Sequence, residues 1–172
     1  MTVREAIESR KSVRAFKAQD IPQEILDRVM DAARLAPSAR NEQEWRFIVV
    51  RDAALRARLA EAAGAEFVGS APVVIVACAE TDKRLMRCGQ PAYVIDVAIA
   101  LDHITLAAVE EGLGTCWIGG FSADTVRTAL GIPHEIEIVE LLPIGFPARD
   151  DDLAATRKKR LALTDIVRFD RW

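Results

Sequence analysis

A long apolar segment, residues 92–109, most constrains how this chain can fold. It is about as long as a membrane-spanning helix, but Asp96, Asp102 and His103 interrupt it. Charged side chains are costly at the centre of a bilayer. The segment therefore predicts a helix buried inside a protein or at a subunit interface, and not a helix that crosses a membrane. This helix is predicted to cover residues 90–111, with Gly112 in a left-handed conformation just after its end.

The rest of the chain alternates between helical and strand-like segments. Apolar residues at helical spacing predict helices at residues 3–9, 22–36, 52–63 and 122–131. Apolar, β-branched runs predict strands at residues 45–50, 72–78 and 136–145. The unbroken run at 72–78 is typical of a central strand buried on both faces. Alternation of this kind predicts a helix–sheet–helix sandwich, and 172 residues suit a single domain, residues 1–172.

Two further segments are less regular. Residues 80–91 are charged and irregular, which predicts a loop near a site or a lid. The C-terminal residues 163–172 are too apolar to remain in solvent, because they include Ile166, Val167, Phe169 and Trp172. They predict an extra strand or an arm, packed on the chain's own body or on a partner subunit.

Composition and missing motifs argue against several classes of protein. A net charge of −3 argues against a general nucleic-acid-binding protein. The three cysteines form no CxxC pair, and neither a zinc site nor another catalytic metal site is predicted. His103 and His134 have no placed serine or cysteine partner for a hydrolytic triad. Unpaired cysteines and an N-terminus without an apolar signal-peptide core predict a cytoplasmic protein.

Residues 112–121 (GLGTCWIGGF) place four glycines around a tryptophan. The segment follows a helix and has Trp117 where a dinucleotide-binding fingerprint needs its third glycine, and it lacks the Gly-Lys-Ser/Thr of a phosphate loop. One interpretation is a pair of turns flanking a short strand. The other is a wall for a flat aromatic ligand, with a backbone N–H directed at a ring nitrogen.

Three other segments could contribute to a binding site. Residues 9–14 (SRKSVR) could bind a phosphate, or could form an ordinary basic helix end. Residues 36–45 (APSARNEQEW) could bind a polyol chain or the amide edge of a ring, or could simply connect a helix to a strand. Residues 157–160 (RKKR) could form a solvated face, a nuclear-localisation or nucleic-acid-binding patch, or a second phosphate clamp.

Together these segments resemble the nitroreductase family of flavin mononucleotide (FMN) oxidoreductases. Residues 10–14 are similar to its N-terminal basic–Ser–basic motif, and residues 36–45 to its Pro-Ser-x-x-Asn-x-Gln-Pro-Trp motif. Residues 112–121 are similar to its Gly-Leu-Gly-x-x-Trp-Ile-Gly segment, and residues 160–167, with Trp172, to its C-terminal signature. The four motifs follow the family's order along nearly the whole chain.

The resemblance implies an α+β fold, a three-layer helix–sheet–helix sandwich with a mostly antiparallel central sheet. It also implies a homodimer in which the C-terminal arm is exchanged and two FMN sites lie at the interface, each built from both subunits. The cofactor-binding residues implied by matching positions are Arg10, Lys11, Ser12, Arg14, Trp117, Ile118, Gly119, Gly120, Lys158 and Arg160, together with Pro37, Ser38, Ala39 and Asn41 from the other subunit.

The implied roles divide the site into two ends. Arg10, Lys11 and Ser12 would hold the phosphate and ribityl chain of FMN, and Arg160, helped by Lys158, would complete the phosphate clamp. Arg14 would approach the pyrimidine edge of the ring, where it could stabilise the negative charge of the reduced form. Residues 117–120 would line the ring, and the Gly119 N–H would donate to flavin N5.

The resemblance implies hydride transfer from NADH or NADPH through flavin N5 to a small electrophilic acceptor, such as a nitroaromatic or a quinone, by a ping-pong mechanism. The flavin would carry the chemistry, so no catalytic side chain is expected. The alternative is a non-enzymatic flavin-binding or flavin-delivery protein on the same fold. The acceptor and the nicotinamide preference stay open, as does the effect of Glu44 and Ala162, which replace prolines of the family motifs.

Overall fold

The computed structural model describes residues 1–154 and 159–172. Four strands form one antiparallel sheet in the order β1-β2-β4-β3: β1 (Trp45–Val50), β2 (Val73–Glu80), β3 (Gly114–Thr115) and β4 (Ile136–Gly145). The α-helices are α1 (Val3–Ser9), α2 (Gln23–Arg34), α3 (Ala53–Ala63), α4 (Glu66–Ser70), α5 (Ala92–Glu110), α6 (Ala123–Leu130) and α7 (Leu163–Ile166). Short 3₁₀ turns cover Ala39–Asn41 and Asp150–Leu153.

The central strand β2 separates two hydrophobic layers. Every residue from Val73 to Ala79 is buried, as the unbroken apolar run predicts. Successive side chains of a strand point to opposite faces. Val73, Ile75 and Ala77 accordingly pack in the cluster that includes residues of α2 and α5, whereas Val74 and Val76 pack in the cluster that includes residues of α3, α4 and α6. The predicted α+β, three-layer sandwich with an antiparallel sheet is confirmed.

The apolar helix α5 lies in the core of this sandwich. It is long and apolar enough to cross a membrane by length and composition alone, yet half of it is buried inside the fold. Its Val97, Ala100, Leu101 and Ile104 are fully buried, while Val94 and Ile95 stay exposed near its start. The helix begins at Ala92, two residues later than expected, because Met86 N–H donates to the Gln90 carbonyl and keeps Gln90 in the preceding turn.

The C-terminal segment does not pack on the chain's own body. It forms the four-residue helix α7 and no strand of the described sheet. Phe169 is 84% exposed and Trp172 fully exposed, and Leu163 and Ile166 are also exposed. Of the two predicted alternatives, this exposure argues against packing on the chain's own body, and packing of a strand or an arm on a partner subunit stays a prediction.

Candidate functional site

The basic segment after α1 lies against strand β3. Ser12 forms an isolated parallel bridge with Thr115, and the Val13 N–H donates to the Thr115 carbonyl at 2.9 Å. Gly114 makes this approach possible, because a Cβ there would lie 2.5 Å from Val13 Cγ2. The structure thus brings together the basic segment and the glycine-rich segment, which are a hundred residues apart in the sequence.

The cations of this segment have different surroundings. Arg10 follows the last residue of α1, and its backbone N–H donates to the Ala6 carbonyl. The Lys11 ammonium lies 3.8 Å from an Asp152 carboxylate oxygen. Within the described residues, the guanidinium groups of Arg10 and Arg14 form no ion pair and no hydrogen bond. An unpaired Arg10 guanidinium beside Lys11 suits a phosphate, which accepts bidentate hydrogen bonds from such a group, and the unpaired Arg14 guanidinium remains available to a second negative group.

The glycine-rich segment continues along the edge of β4. Ile118 exchanges hydrogen bonds with Leu141 at 2.9 and 3.1 Å, whereas Thr115 pairs with Ile144. Three residues of β4, about 10 Å at the usual rise of a strand, therefore separate the pairing of Ile118 from that of Thr115, which bridges Ser12. Trp117, which precedes Ile118 in the chain, is 37% exposed. The regular strand β3 is limited to Gly114–Thr115, so it ends before the tryptophan.

Gly119 and Gly120 expose backbone rather than side chains. Both are exposed, and neither amide N–H has a hydrogen-bond acceptor in the part of the chain that the structure describes. A Cβ at Gly120 would meet no atom within 4 Å. A Cβ at Gly119 would lie 3.4 Å from Oε2 of Glu140. The backbone here has a free donor and open space, as a flat ligand on these residues would require.

The Pro37–Asn41 segment forms a tight loop after α2. Arg40, Asn41 and Gln43 have φ angles of 55°, 58° and 52°, which lie in the left-handed region. Ser38 Oγ accepts a hydrogen bond from the Gln43 N–H at 3.0 Å and closes the loop. Residue 44 is glutamate, and proline there would restrict the preceding residue to extended backbone. Glutamate at residue 44 leaves Gln43 free of this restriction.

Asp96 anchors this loop to α5. Both of its carboxylate oxygens lie 3.1 Å from the Ala39 N–H, and the side chain is 4% exposed. The sequence showed Asp96 only as an interruption of an apolar helix, and its role as the anchor of a neighbouring loop was missed. A buried carboxylate in an apolar helix requires a hydrogen-bond or ionic partner. That requirement could have indicated that Asp96 binds a neighbouring segment.

The Pro37–Asn41 loop and the N-terminus of the chain contact opposite ends of α5. The Ala39 N–H is bound at Asp96, whereas Glu110 at the other end of the helix lies 3.5 Å from the N-terminal ammonium. Fourteen residues of helix span about 21 Å. The basic segment follows α1 and bridges to Thr115 on β3. Among the described residues, no hydrogen bond joins the Pro37–Asn41 loop to Arg10 or Arg14.

Of the C-terminal phosphate-clamp candidates, Arg160 makes no hydrogen bond or ion pair with residues 10–14 in the part of the chain that the structure describes. Arg160 is exposed, and its guanidinium donates to the neighbouring Lys159 carbonyl at 2.9 Å. Lys158 and Arg157 lie outside the described residues. The other replaced proline, Ala162, precedes α7 and donates its N–H to Asp165 Oδ2 at 3.3 Å, a bond that proline could not make.

Residues 81–91 form a turn held by ion pairs. Lys83 Nζ lies 2.6 Å from Glu137 Oε1, and Arg84 Nη2 lies 2.7 Å from Glu42 Oε2. The Glu137 hydrogen bond raises the pKa of Lys83 above its ordinary value. The Arg84 pair connects the turn to the loop that carries Asn41. The predicted loop is confirmed after Glu80, where β2 ends, and its action as a lid stays a prediction.

Comparison with known proteins agrees with the fold. The sequence profile described as Nitroreductase family matches residues 7–68 and 63–146. A solved nitroreductase family protein from Clostridium novyi NT is 37% identical, with a TM-score of 0.83 over 89% of this chain and 88% of that one. An NADH dehydrogenase from Thermus thermophilus is 31% identical over 82% of this chain and 84% of its own length.

A third relative was solved with a nicotinamide nucleotide. The NADPH:FMN oxidoreductase from Vibrio harveyi, complexed with NAD⁺, is 26% identical, with a TM-score of 0.88 over 99% of this chain and 77% of that one. These matches cover the sheet, α5 and the three segments placed above, residues 10–14, 37–41 and 117–120. The chain therefore belongs to the nitroreductase family and is an oxidoreductase.

Proposed function

We propose that this protein is an FMN-dependent oxidoreductase that uses NADH or NADPH to reduce a small electrophilic acceptor, such as a nitroaromatic or a quinone. The observation that carries the proposal is that the segment with the unpaired Gly119 N–H is joined, through Thr115, to the segment that carries the unpaired guanidinium groups of Arg10 and Arg14. The Vibrio harveyi relative, named for both NADPH and FMN, supports the choice of cofactors. The unpaired cysteines fit a reducing cytoplasm.

Each group of residues has a defined task in this proposal. Arg10, Lys11 and Ser12 bind the phosphate end, where charge-assisted hydrogen bonds are strongest. Trp117 and the Gly119–Gly120 backbone would contact the flavin ring, and the Gly119 N–H would orient it by donating to N5. When bound, FMN would accept a hydride from the nicotinamide and pass it to the acceptor. Arg14 lies on the basic side of the site and would stabilise negative charge on the ring.

The site is completed by a second copy of the chain in a homodimer. The Pro37–Asn41 loop is held at Asp96, near the start of α5, and within the described residues it shares no hydrogen bond with Arg10 or Arg14. Exposed apolar residues of α5 and the exposed C-terminal segment provide surface for a partner. In the dimer, the partner subunit supplies the loop, and the exchanged arm brings Arg160 and Lys158 to the phosphate.

The direct test is the absorption spectrum of the purified protein, followed by anaerobic titration with NADH and NADPH. We expect a flavin spectrum, or its appearance on addition of FMN, and bleaching by at least one nicotinamide. A protein that stays colourless with excess FMN contradicts the whole proposal. A protein that binds FMN but is bleached by neither nucleotide is instead a flavin-binding or flavin-delivery protein.

The phosphate assignment has its own test. Replacing Arg10 with alanine removes charge-assisted hydrogen bonds worth about 1.5–3 kcal/mol, so FMN affinity should fall about 10- to 150-fold. Riboflavin has no phosphate, and its affinity should change little. The matched control is Arg58→Ala, an exposed arginine on α3. Equal loss of FMN and riboflavin affinity in the Arg10 variant would show that Arg10 does not bind the phosphate.

The shared site can be tested by mixing two inactive variants. One variant carries Arg10→Ala and Ser12→Ala, and the other carries Ser38→Ala and Asn41→Ala. After denaturation and refolding together, random pairing makes half of the dimers mixed, and each mixed dimer has one site with both halves intact. About a quarter of the sites should regain full FMN affinity. Failure of the mixture to regain any high-affinity sites would indicate that each site belongs to one chain.

A further inference from the structure

Glu140 places a carboxyl group beside Gly119 that the binding proposal does not use. The residue lies on β4, opposite Ala77 of β2, and is half-buried. Its Oε2 and Oε1 atoms lie 3.4 and 3.6 Å from the position of a Cβ at Gly119. Among residues 1–154 and 159–172, no group donates a hydrogen bond to this carboxyl and no cation pairs with it. The carboxyl group therefore adjoins the exposed Gly119 backbone without a partner of its own.

The elements around Glu140 present no compensating positive charge. Between Val73 and Ala79, β2 carries one titratable side chain, Cys78, and burial raises the pKa of its thiol to about 11. Helix α5 packs in the same cluster as Ala77, and Asp96 on it already accepts the Ala39 N–H. Its basic side chain, His103, contacts the Ala32 carbonyl of α2 through Nδ1 at 3.2 Å, and its other titratable groups are Tyr93, Asp102 and Glu110. The glycine-rich segment, residues 112–121, carries the buried Cys116. Burial raises the pKa of the Glu140 carboxyl, and no neighbouring charge contributes to that shift.

We propose that Glu140 is a positioning residue of the flavin site, which holds a proton when a ring is bound and donates a hydrogen bond to the ring edge beside Gly119. This inference rests on the proposed function. A flat ligand on Gly119 and Gly120 would remove water from a carboxyl group that has no cation nearby, which disfavours the ionised form. A protonated carboxyl keeps a donor that a ring oxygen or nitrogen can accept.

The proposal fixes the sign of a pH effect. Bound ligand raises the pKa of Glu140 above its value in the free protein, so ligand affinity is greatest below the free-protein pKa. Affinity falls as pH rises from that value towards the pKa in the complex, and it levels off above both. Each unit of separation between the two pKa values corresponds to about a tenfold change in affinity.

Riboflavin is the suitable probe, because the FMN phosphate titrates near neutral pH and would obscure the effect. Its affinity is measured by fluorescence quenching between pH 5 and 9. For the native protein we expect a loss of about tenfold or more over this range. Glu140→Gln keeps a donor and has no charge, so its affinity should stay near the native low-pH value throughout. Glu135→Gln removes a carboxylate just before β4 from an exposed residue and should retain the native profile.

Each outcome decides a different claim. A native profile that is flat, that rises with pH, or that Glu140→Gln leaves unchanged overturns the role of Glu140. Absence of riboflavin and FMN binding by the native protein overturns the proposed function, and this inference with it. If Glu140→Gln fails to fold, as seen by circular dichroism, Glu140→Asp replaces it. Its carboxyl is one methylene farther from Gly119, so the pH effect should be smaller, and an undiminished effect contradicts the proposal.

Discussion

The contact between Gly114 and Val13 should be among the least tolerant points of the fold. A Cβ at residue 114 would lie 2.5 Å from Val13 Cγ2, 2.7 Å from its Cβ and 3.0 Å from its Cγ1. Carbon atoms normally approach to about 3.5–4.0 Å. Val13 cannot move away easily, because it is 1% exposed and its N–H is bound to Thr115. Gly114→Ala should therefore destabilise the protein by about 1–3 kcal/mol, the usual effect of overpacking.

Thermal unfolding measures this effect. In a chain of this size, 1 kcal/mol changes Tm by about 2–4 °C, so Gly114→Ala should lower Tm by about 2–12 °C. Gly120→Ala is the control, because its Cβ would meet no atom within 4 Å and the backbone there is not left-handed. Its Tm should stay close to the native value. Equal Tm values for the two variants would refute the packing argument.

A double variant shows whether Val13 is the cause. Val13→Ala removes both Cγ atoms but leaves the Cβ, which still lies 2.7 Å from the position of the new methyl group. The clash should therefore be relieved only in part. Gly114→Ala combined with Val13→Ala should lose less stability than the sum of the two single changes, which is the sign of residues in contact. If the stability losses of the two single variants simply add, the strain does not arise from the contact between residues 13 and 114.

Two other predictions concern buried groups. Asp96→Leu leaves the Ala39 N–H without its acceptor, which should destabilise the protein by about 1–3 kcal/mol; urea unfolding measures it, and Asp96→Asn, which keeps an acceptor, should lose less. Cys88 is exposed while Cys78 and Cys116 are buried, and burial raises the pKa of Cys78 to about 11. A thiol reagent at pH 8 should therefore modify one cysteine in the native protein and three in urea; rapid modification of three native thiols would contradict this burial.

Much of the fold could be predicted because the local patterns were strong. The unbroken apolar run in β2 and the helical periodicity of α2 reflect burial, which favours an apolar side chain at each buried position separately. The end of α5 was also predictable, since Gly112 has a φ of 73° and only glycine adopts this conformation without strain. The C-terminal segment was harder, because its apolar residues do not indicate which surface covers them, and none on the chain's own body does.

The site was less predictable, since its contacts join residues distant in sequence. The basic and glycine-rich motifs could be found as patterns, but their juxtaposition depends on the Val13–Thr115 bond. Asp96 could be noticed but not assigned. Nothing in the sequence identified Glu140 as a site residue, because a glutamate in an amphipathic strand is ordinary. Its closeness to Gly119 arises from the pairing of Ile118 with Leu141, and such pairing depends on the whole sheet.

A site built from two subunits, as proposed above, would make cofactor binding and subunit association interdependent. If the Pro37–Asn41 loop and the Arg10–Arg14 segment of one chain cannot reach the same FMN, a free monomer offers each ligand only half of its contacts. A ligand that binds the dimer more tightly must shift the equilibrium towards the dimer, by RT ln(1 + [L]/Kd) for each site. A concentration of FMN 100 times its Kd would add about 2.7 kcal/mol per site.

Sedimentation at low protein concentration should therefore detect tighter association with FMN than without it. In the Arg10→Ala variant, the same concentration of FMN should tighten association less. An association constant that FMN leaves unchanged in the native protein would mean that each chain binds its cofactor alone.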